Sequence, residues 1–392
     1  MDLSKLADLS FLVDTVQKHF YIYLFLLCSI VFAIYLFNPV IIGADTWFYV
    51  GQVCDKSTID FRDIAFVPVL FLLPCSFIVM KLYLFVLFLI SMFTMAKIGE
   101  LYFKEKGAIL GIITGFLTLI ILEFQVFEND SLGYTLFFIA LYFAIKYSRE
   151  HTKVIDRDAL LSAGFAILSG LAWKGVAYFL IPLVVFNPVA LIIAIPVIAL
   201  NFQTFFWFLN GSGGLIMEQA PWVAFIYYGI TIFFLYGILK TPKKEAFAFI
   251  LMCIPGVFVQ KLFVLAIPFI SIIALHGVVS IKKYQDTIVS TLIIFSLFMA
   301  IYWGMHSFNE FPTQSDIELI EFAKTKTDVI QNVFGPGYVI EYYGITPSSK
   351  GMTDGNKDYN CTGYVIEHPQ LQRCDCNILK KSNTLILESC NK

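Results

Sequence analysis

The sequence predicts an all-α polytopic membrane protein with about eleven transmembrane helices, followed by a small C-terminal α/β domain outside the cytoplasm. Three observations support this fold class. Hydrophobic residues make up 58% of the 392 positions and charged residues only 14%, against about 25% charged residues in an average soluble protein. The mean hydropathy is +0.78. Apolar runs that approach the ~20 residues needed to cross a bilayer recur along most of the chain.

The chain divides into three predicted segments. Residues 1–19 have apolar side chains at helical spacing, which predicts an amphipathic cytoplasmic helix; a helical cap on the first span explains the same pattern. They are Leu3, Leu6, Leu9, Leu12, Val13 and Val16. Residues 20–308 form the predicted membrane domain, and residues 309–392 the cysteine-containing extracytoplasmic domain. The predicted spans are Phe20–Phe37, Leu82–Ala96, Ala108–Phe124, Gly133–Ile145, Ala159–Trp173, Val176–Phe186, Pro188–Phe208, Val223–Leu239, Ala246–Val259, Leu262–Val279 and Ile288–Trp303.

Basic loops predict the orientation of these spans in a cell membrane. Lysine and arginine in short loops favour the cytoplasmic side. If residues 1–19 are cytoplasmic and the spans alternate, the active face and the C-terminus are extracytoplasmic and all basic loops lie inside. This requires that Phe66–Met80, interrupted by Pro68 and Pro74, is a re-entrant or interfacial helix that does not cross. The basic loops are Lys97–Lys106, Lys146–Arg157, Lys240–Lys244 and Lys282–Lys283.

The same topology places four carboxylates and one lysine on the outer face: Asp45, Glu128, Asp130, Glu218 and Lys261. Each has an ordinary structural explanation, such as an acidic residue at a helix N-terminus or a lysine that reaches toward water. Their coincidence on one face favours a site instead. Carboxylates can hold a hard cation such as Mg²⁺ or Mn²⁺, which neutralises a phosphate leaving group, while a lysine binds phosphate directly.

Five short motifs occur in a fixed order along the chain. They are Asp45-Thr46-Trp47-Phe48-Tyr49, Glu128-Asn129-Asp130, Leu215-Ile216-Met217-Glu218, Lys261 ahead of Pro268, and Asn332–Gly344. The ordered set resembles the catalytic subunit of oligosaccharyltransferase, of the single-subunit archaeal and bacterial type, and more broadly the multi-span C-type glycosyltransferases. That family has an aspartate before aromatic residues in its first outer loop and an acid-x-acid pair that opens a later span. It also has a Thr-Ile-x-Glu motif on an outer loop, an arginine on a late span and a Trp-Trp-Asp-Tyr-Gly signature.

The resemblance implies metal-dependent, inverting transfer of a sugar from a polyprenyl-linked donor such as a dolichol derivative. Asp45, Asp130 and Glu218 would be metal ligands, with Asp45 and Glu218 the catalytic pair. Glu128 would be a ligand or a partner of one, and Lys261 would bind the donor phosphate. The implied cofactor is Mg²⁺ or Mn²⁺. The implied partners are the lipid-linked sugar, membrane lipids and a protein or peptide acceptor, with no nucleic acid.

The chain departs from this family where the acceptor is read. Val333-Phe334-Gly335 stands where the signature has two tryptophans and an aspartate. Phe334, Gly337 and Tyr338 are the predicted acceptor-binding counterparts. An alternative is therefore a single-sugar polyprenyl-phosphate glycosyltransferase with a non-peptide acceptor. Other classes left open are a lipid-sugar flippase and an inactive scaffold, although nearly charge-free spans disfavour transport.

The polar tail predicts a helix from Ser315, as its N-cap, to Lys324, and strands at Val329–Phe334 and Thr384–Leu387. Four cysteines in so short an extracytoplasmic segment favour two disulfides, with three connectivities open. These are Cys361, Cys374, Cys376 and Cys390. Among the other cysteines, Cys54 is predicted to be an unpaired thiol in the first outer loop, and Cys75 to fill an apolar run.

Overall fold

The computed structural model describes most of the chain in thirteen stretches, and those residues are mainly helical. The described ranges are 15–16, 18–43, 46–59, 64–118, 120–150, 156–173, 180–189, 231–258, 266–308, 310–332, 337–347, 363–367 and 376–390. The helices before the tail are α1 (Phe20–Phe37), α2 (Thr46–Cys54), α3 (Val67–Leu72), α4 (Phe77–Phe103), α5 (Leu110–Phe116), α6 (Ile120–Glu123), α7 (Asn129–Glu150), α8 (Arg157–Ala172), α9 (Leu180–Phe186), α10 (Thr231–Ile238), α11 (Lys243–Phe258), α12 (Ile267–Ser280) and α13 (Gln285–His306).

Four helical segments of the described residues are long and apolar enough to cross a membrane by length and composition. They are Phe20–Phe37, Phe77–Phe116, Asn129–Glu150 and Lys282–His306, and the shorter Ile267–Ser280 is also apolar. The chain is thus a helical, membrane-type protein. Among the described residues the predicted total of eleven spans is not supported, because their remaining helices fall short of a bilayer's thickness. Parts of the predicted spans Pro188–Phe208 and Val223–Leu239 lie outside those residues.

The segment Phe77–Phe116 is a helical hairpin. Helix α4 ends where Lys104 adopts φ 52°, and α5 runs back along it. Gly99 and Gly107 meet where the arms touch, since a methyl group built on Gly99 would lie 1.8 Å from the Gly107 carbonyl oxygen. Small residues of this kind let helix backbones approach closely. The predicted span Ala108–Phe124 is not one continuous helix, because α5 ends at Phe116.

The predicted non-crossing segment Phe66–Met80 is also divided. Helix α3 has six residues, far too few to cross a hydrocarbon core of ~30 Å. Its C-terminus is capped by Lys56, whose ammonium donates to the carbonyls of Leu70 and, at 2.8 Å, Leu73. The backbone is extended at Leu73, and the next helix, α4, begins at Phe77.

The basic loops gather at one end of the bundle, hereafter the basic end. Side chains bridge them directly: Lys106 Nζ to Gln285 Oε1 at 3.4 Å, Arg149 to the Leu101 carbonyl at 3.0 Å, Arg149 to Glu245 at 3.8 Å, and Lys244 Nζ to Ser148 Oγ at 3.2 Å. The start of α1 lies there too, because the Tyr21 hydroxyl donates to Glu100 at 2.7 Å. This is the arrangement that alternating spans predict.

The tail forms a small α/β unit of helices α14 (Gln314–Lys324) and α15 (Gly337–Tyr342) with a five-stranded sheet. Its strands are β1 (Val329–Asn332), β2 (Thr346–Pro347), β3 (Gly363–Glu367), β4 (Asn377–Lys381) and β5 (Ile386–Cys390). Their order is β2-β1-β3-β5-β4; β1 is parallel to β2 and β3, while β5 is antiparallel to β3 and β4. The N-cap of α14 is Thr313, not Ser315, because Thr313 and Asp316 form a reciprocal capping box.

Two disulfides are present among the described residues. Cys376 is bonded to Cys390, with Cα atoms 4.9 Å apart, and joins the start of β4 to the end of β5. Cys54 is bonded to Cys75 and joins the end of α2 to the residues before α4. The predictions of an unpaired Cys54 and a core-filling Cys75 are therefore wrong. Pairing them requires the chain to fold back across the loop that contains α3. Cys361 and Cys374 lie outside the described residues.

Candidate functional site

The end of the bundle opposite the basic loops, hereafter the outer end, brings two of the predicted acidic motifs close together along the backbone. Ile42 pairs with Val126 in a parallel bridge. The Gly43 amide donates to the Phe311 carbonyl at 2.8 Å. Gly43 has φ +100°, and a side chain there would also meet Val126 Cγ1 at 2.6 Å. The backbone that leads into Asp45 is therefore held beside the backbone that leads into Glu128.

The acid-x-acid motif lies at the N-terminus of α7. Asp130 is in the first turn and is buried, where the helix dipole favours a negative charge. Ser131 Oγ donates to the Glu128 carbonyl at 2.9 Å and fixes this turn. One turn further on, the Tyr134 hydroxyl lies within electrostatic reach of three carboxylates, those of Glu123, Glu128 and Asp130.

Glu123 is the member of this group that sequence reasoning missed. It ends the short helix α6 and lies within the apolar run that was predicted to be a span. A lone carboxylate in an otherwise apolar run is costly to place in a membrane, and such residues mark functional positions more often than chance. The sequence therefore contained a signal for Glu123. It contained no signal for the break between α5 and α6, which brings Glu123 to the outer end.

Aromatic side chains join the first outer loop to the signature-like segment of the tail. Helix α2 packs on α15, with ring centroids 4.8 Å apart for Trp47 and Tyr342, 5.9 Å for Trp47 and Tyr343, and 5.2 Å for Phe48 and Tyr338. Of the predicted acceptor residues, Gly337 is buried and Tyr338 is half-buried against α2. Phe334 lies outside the described residues.

A second line of rings runs from α2 to the acidic motif. Tyr49 contacts Phe66 at 5.3 Å, Phe66 contacts Phe127 at 5.9 Å, and Phe127 contacts Tyr83 at 6.1 Å between centroids. Phe127 immediately precedes Glu128. Edge-to-face and tilted contacts of this kind stabilise an interface beyond the area they bury. The first outer loop, the acid-x-acid motif and the signature-like segment are thus parts of one packed unit.

Three buried polar atoms in this unit have no hydrogen-bond partner within the part of the chain that the structure describes. They are Thr46 Oγ1, Trp47 Nε1 and the Tyr83 hydroxyl. A buried polar group without a partner costs about 1–3 kcal/mol. Thr46 and Trp47 directly follow Asp45 in the chain, and Tyr83 packs on Phe127, which precedes the acid-x-acid motif.

Burial, hydrogen bonds and nearby charges shift the pKa values of three side chains around α2 and α15. Hydrogen bonds from the Ser57 hydroxyl and amide lower the pKa of the exposed Asp55 carboxyl, while burial lowers the pKa of Lys56. Burial and then the negative charge of Glu321 raise the pKa of Tyr343 to about 12. Tyr343 therefore remains a neutral hydrogen-bond donor at physiological pH.

Two of the four predicted metal ligands, Glu128 and Asp130, are among the described residues, and Asp45, Glu218 and Lys261 lie outside them. Within the described ranges, no three or more His, Cys, Asp or Glu side chains are grouped closely enough to hold a metal ion. The donor chemistry fits a hard cation, since every predicted ligand is a carboxylate and the backbone before the described pair is bridged to the backbone before Asp45.

No protein-family model and no curated protein sequence matches this chain. The resemblance to oligosaccharyltransferases remains a prediction based on the five motifs.

Proposed function

We propose that this protein is a membrane glycosyltransferase that moves a sugar or oligosaccharide from a polyprenyl-linked phosphate or pyrophosphate donor to an acceptor at the outer end of the bundle. The pairing of Ile42 with Val126 is the observation that supports it most directly. These residues lead into the first and second acidic motifs, which are far apart in sequence. A transferase of this type requires both motifs at one point, because they share the donor phosphate.

Each residue would have a role that follows from its side-chain chemistry. Asp45, Asp130 and Glu218 would hold a Mg²⁺ or Mn²⁺ ion, with Glu128 as a further ligand or as a partner of one. That ion, when bound, would neutralise the charge that develops on the leaving phosphate. Lys261 would contact the same phosphate as a point charge. The apolar surface of the helices beneath would accommodate the polyprenyl chain.

Two features of the fold support an extracytoplasmic location of this site. The Cys54–Cys75 disulfide lies in the unit that packs around the outer loop, and disulfides persist in oxidising compartments. The basic loops lie at the opposite end, as expected for a cytoplasmic side. Charge distribution and cysteine chemistry thus favour the same orientation independently.

The acceptor surface favours a single-sugar transferase as the second candidate. The Val333–Gly335 segment, which stands where the family has its acceptor-reading signature, has no polar side chain. A site that selects the hydroxyl of an Asn-x-Ser/Thr peptide has to hydrogen-bond it. Protein glycosylation remains the first candidate because the motif order covers the whole membrane domain.

The first prediction tests the metal site. Asp45→Ala, Asp130→Asn and Glu218→Ala should each lower the rate of sugar transfer at least about a hundredfold, because a missing ligand misplaces the ion and leaves its neighbours' charges uncompensated. Asp55→Asn is the matched control, since this exposed outer-loop carboxylate bonds only to its own turn in the described structure. Chelation of the wild type with EDTA should abolish transfer, and Mn²⁺ should restore it.

The assay should offer two donors separately: a polyprenyl-pyrophosphate oligosaccharide and a polyprenyl-phosphate hexose. Each should be tested with paired peptides that have Thr or Val at the third position of the acceptor sequence. Preference for the Thr peptide identifies protein N-glycosylation. Consumption of the hexose donor without peptide product identifies the second candidate. Full activity of Asp130→Asn in EDTA would eliminate the proposed mechanism.

A further inference from the structure

We propose that Lys81 is a positioning residue that holds the first outer loop against the acid-x-acid motif. The proposal rests on the proposed function, because it assigns Lys81 to the geometry of that site. Lys81 is the only lysine or arginine that is buried among the described residues, with 2% of its surface exposed. Ionisable side chains in membrane-spanning helices are costly and usually serve function.

The location of Lys81 on its own helix does not explain its charge. It lies in the first turns of α4, where the positive end of the helix dipole disfavours a cation. Its ammonium instead reaches the C-terminus of α1, where a cation is favoured. It donates to the Tyr35 carbonyl at 3.2 Å and to the Asn38 carbonyl, and lies 4.4 Å from the centre of the Tyr35 ring.

The residues that Lys81 contacts continue into both acidic motifs. The Tyr35 hydroxyl donates to the carbonyl of Gln125, the neighbour of Val126, at 2.7 Å. Gln125 in turn donates through Nε2 to the Trp303 carbonyl on α13 at 3.0 Å. The segment before the acid-x-acid motif is therefore fixed from two sides, and one of them depends on Tyr35.

Asn38 fixes the other motif. Its side chain accepts from the Val40 amide at 3.0 Å and donates to the Ser307 carbonyl at 2.8 Å. These bonds set the course of residues 38–43, which end in the Ile42–Val126 bridge. The Lys81 ammonium thus binds both Tyr35 and Asn38. Tyr35 fixes the segment that contains Val126, and Asn38 fixes the segment that contains Ile42.

This arrangement assigns Lys81 a role that a neutral residue cannot fill. The Tyr35 carbonyl also accepts the Asn38 amide at 3.1 Å, whereas the Asn38 carbonyl lies beyond the last turn of α1. Charge-assisted hydrogen bonds are about twice as strong as neutral ones. Without the ammonium, the Asn38 carbonyl loses this buried partner and the loop toward Asp45 opens more often. The hydrogen bonds that Lys81 makes within the described residues go to backbone carbonyls, so it acts through the backbone.

Thiol labelling measures this opening without any assay of catalysis. Ile42 is buried, with 2% of its surface exposed, so an Ile42→Cys thiol reacts with a maleimide only when the loop opens. Adding Lys81→Met should raise the labelling rate at position 42 about tenfold. Tyr35→Phe retains the ring under the ammonium but removes the bond to Gln125, and should raise the rate in the same direction. Labelling should be read by mass spectrometry of the peptide.

Three controls separate local opening from general destabilisation. Lys97→Met removes an exposed lysine from the same helix, where it pairs with Glu100, and should leave the rate at position 42 unchanged. Cys28, a buried free thiol in the middle of α1, should stay protected in every variant. Lys81→Arg keeps the cation and should label at close to the wild-type rate. An unchanged rate in Lys81→Met, or parallel labelling of Cys28, would overturn the proposal.

Direct Mn²⁺ binding, followed by the electron-spin-resonance signal of the free ion, links Lys81 to the site. Lys81→Met should raise the Mn²⁺ concentration for half-saturation about tenfold, because Asp45 and Asp130 are no longer aligned, while Lys97→Met should not. Tight Mn²⁺ binding by Lys81→Met equal to wild type would refute the positioning role. Absence of Mn²⁺ binding in the wild type would refute the proposed function, and the labelling rates would still decide whether Lys81 positions the loop.

Discussion

Tyr343 illustrates how neighbouring residues set the properties of one side chain at the outer end. Its ring packs on Trp47 of α2 and on Tyr342, with centroids 5.9 and 5.5 Å apart. Burial excludes water from the hydroxyl, and Glu321 of α14 adds a negative charge nearby; together they raise its pKa to about 12. Both effects disfavour the phenolate, so the neutral ring is part of the contact between loop and tail.

Stability at alkaline pH should depend on Tyr343. An unfolded tyrosine ionises near pH ~10, while folded Tyr343 ionises near 12. Its contribution to stability is therefore complete below the unfolded pKa and is lost as the pH rises through the folded pKa. We expect the thermal unfolding midpoint in detergent to fall less steeply above pH ~10 in Tyr343→Phe than in the wild type. Identical slopes in the two proteins would contradict this prediction.

The positions of individual residues were predictable from the sequence where they depend on neighbours along the chain. Asp130 at a helix N-terminus follows from the local pattern, and so does a helix that ends at Lys324. The N-cap was misplaced because Ser315 and Thr313 are both good caps, and only the reciprocal bond with Asp316 distinguishes them. Glu123 was missed because the break between α5 and α6 leaves no sign in an apolar run. Lys81 was missed because its partners are distant in sequence: it binds carbonyls more than forty residues earlier.

The first outer loop is the element that the fold secures most heavily. Helix α2 is tied by the Cys54–Cys75 disulfide to the residues before α4, and Lys56 caps α3 inside the closed loop. On its other side α2 packs on α15 through aromatic rings. The proposed function requires such rigidity, because small displacements of reacting groups reduce rates strongly.

Removing the outer-loop disulfide should weaken this unit. The bond spans a sequence separation of 21 residues, and closing a loop of that size lowers the entropy of the unfolded chain by an amount equivalent to about 3 kcal/mol. Cys54→Ser/Cys75→Ser should lower the free energy of unfolding by about that amount and increase maleimide labelling of Ile42→Cys.

The double variant Cys376→Ser/Cys390→Ser is the matched control for this experiment. It removes a bond between β4 and β5, on the far side of the tail sheet from β1 and β2, and should leave labelling at position 42 unchanged. A linked Cys54–Cys75 peptide should appear in an unreduced digest of the wild type. Its absence there would show that the outer loop is not secured in this way.

Helices were predictable from apolar length where one helix fills one apolar run. Helix α1 occupies the predicted residues, and α13 differs from its prediction by three residues at each end. The run after Lys106 was not predictable, because α5 ends at Phe116 in a region where all residues are apolar or small. The Cys54–Cys75 pairing was also not predictable, because the apolar residues around Cys75 do not indicate that it has a partner in another part of the loop.

At the scale of the whole molecule, the chain has two chemically different ends. One end collects the basic loops, linked by Arg149, Glu245 and Lys106. The other carries the Glu128-Asn129-Asp130 motif, the backbone that leads into Asp45, the aromatic contacts of α2 and the Cys54–Cys75 disulfide. Loop charge correctly predicted that the basic loops lie together at one end. The number of spans was not predictable, because hairpins and short helices divide apolar runs that composition cannot separate.

Labelling from one side of the membrane should confirm this polarity. Val329→Cys lies at the start of β1 with 62% of its surface exposed, in the tail that packs on the outer loop through α15. Glu105→Cys is exposed in the turn between α4 and α5, among the basic loops. In sealed vesicles with the extracytoplasmic face outward, an impermeant maleimide should label position 329 and not position 105 until detergent is added. Inverted vesicles should give the opposite pattern.

Labelling of position 105 from the extracytoplasmic side would place the basic loops there, contrary to the charge rule. It would also put the disulfides in a reducing compartment, where they would not persist. The proposed use of an extracytoplasmic lipid-linked donor would then fail together with the orientation, because both depend on which end of the bundle faces out.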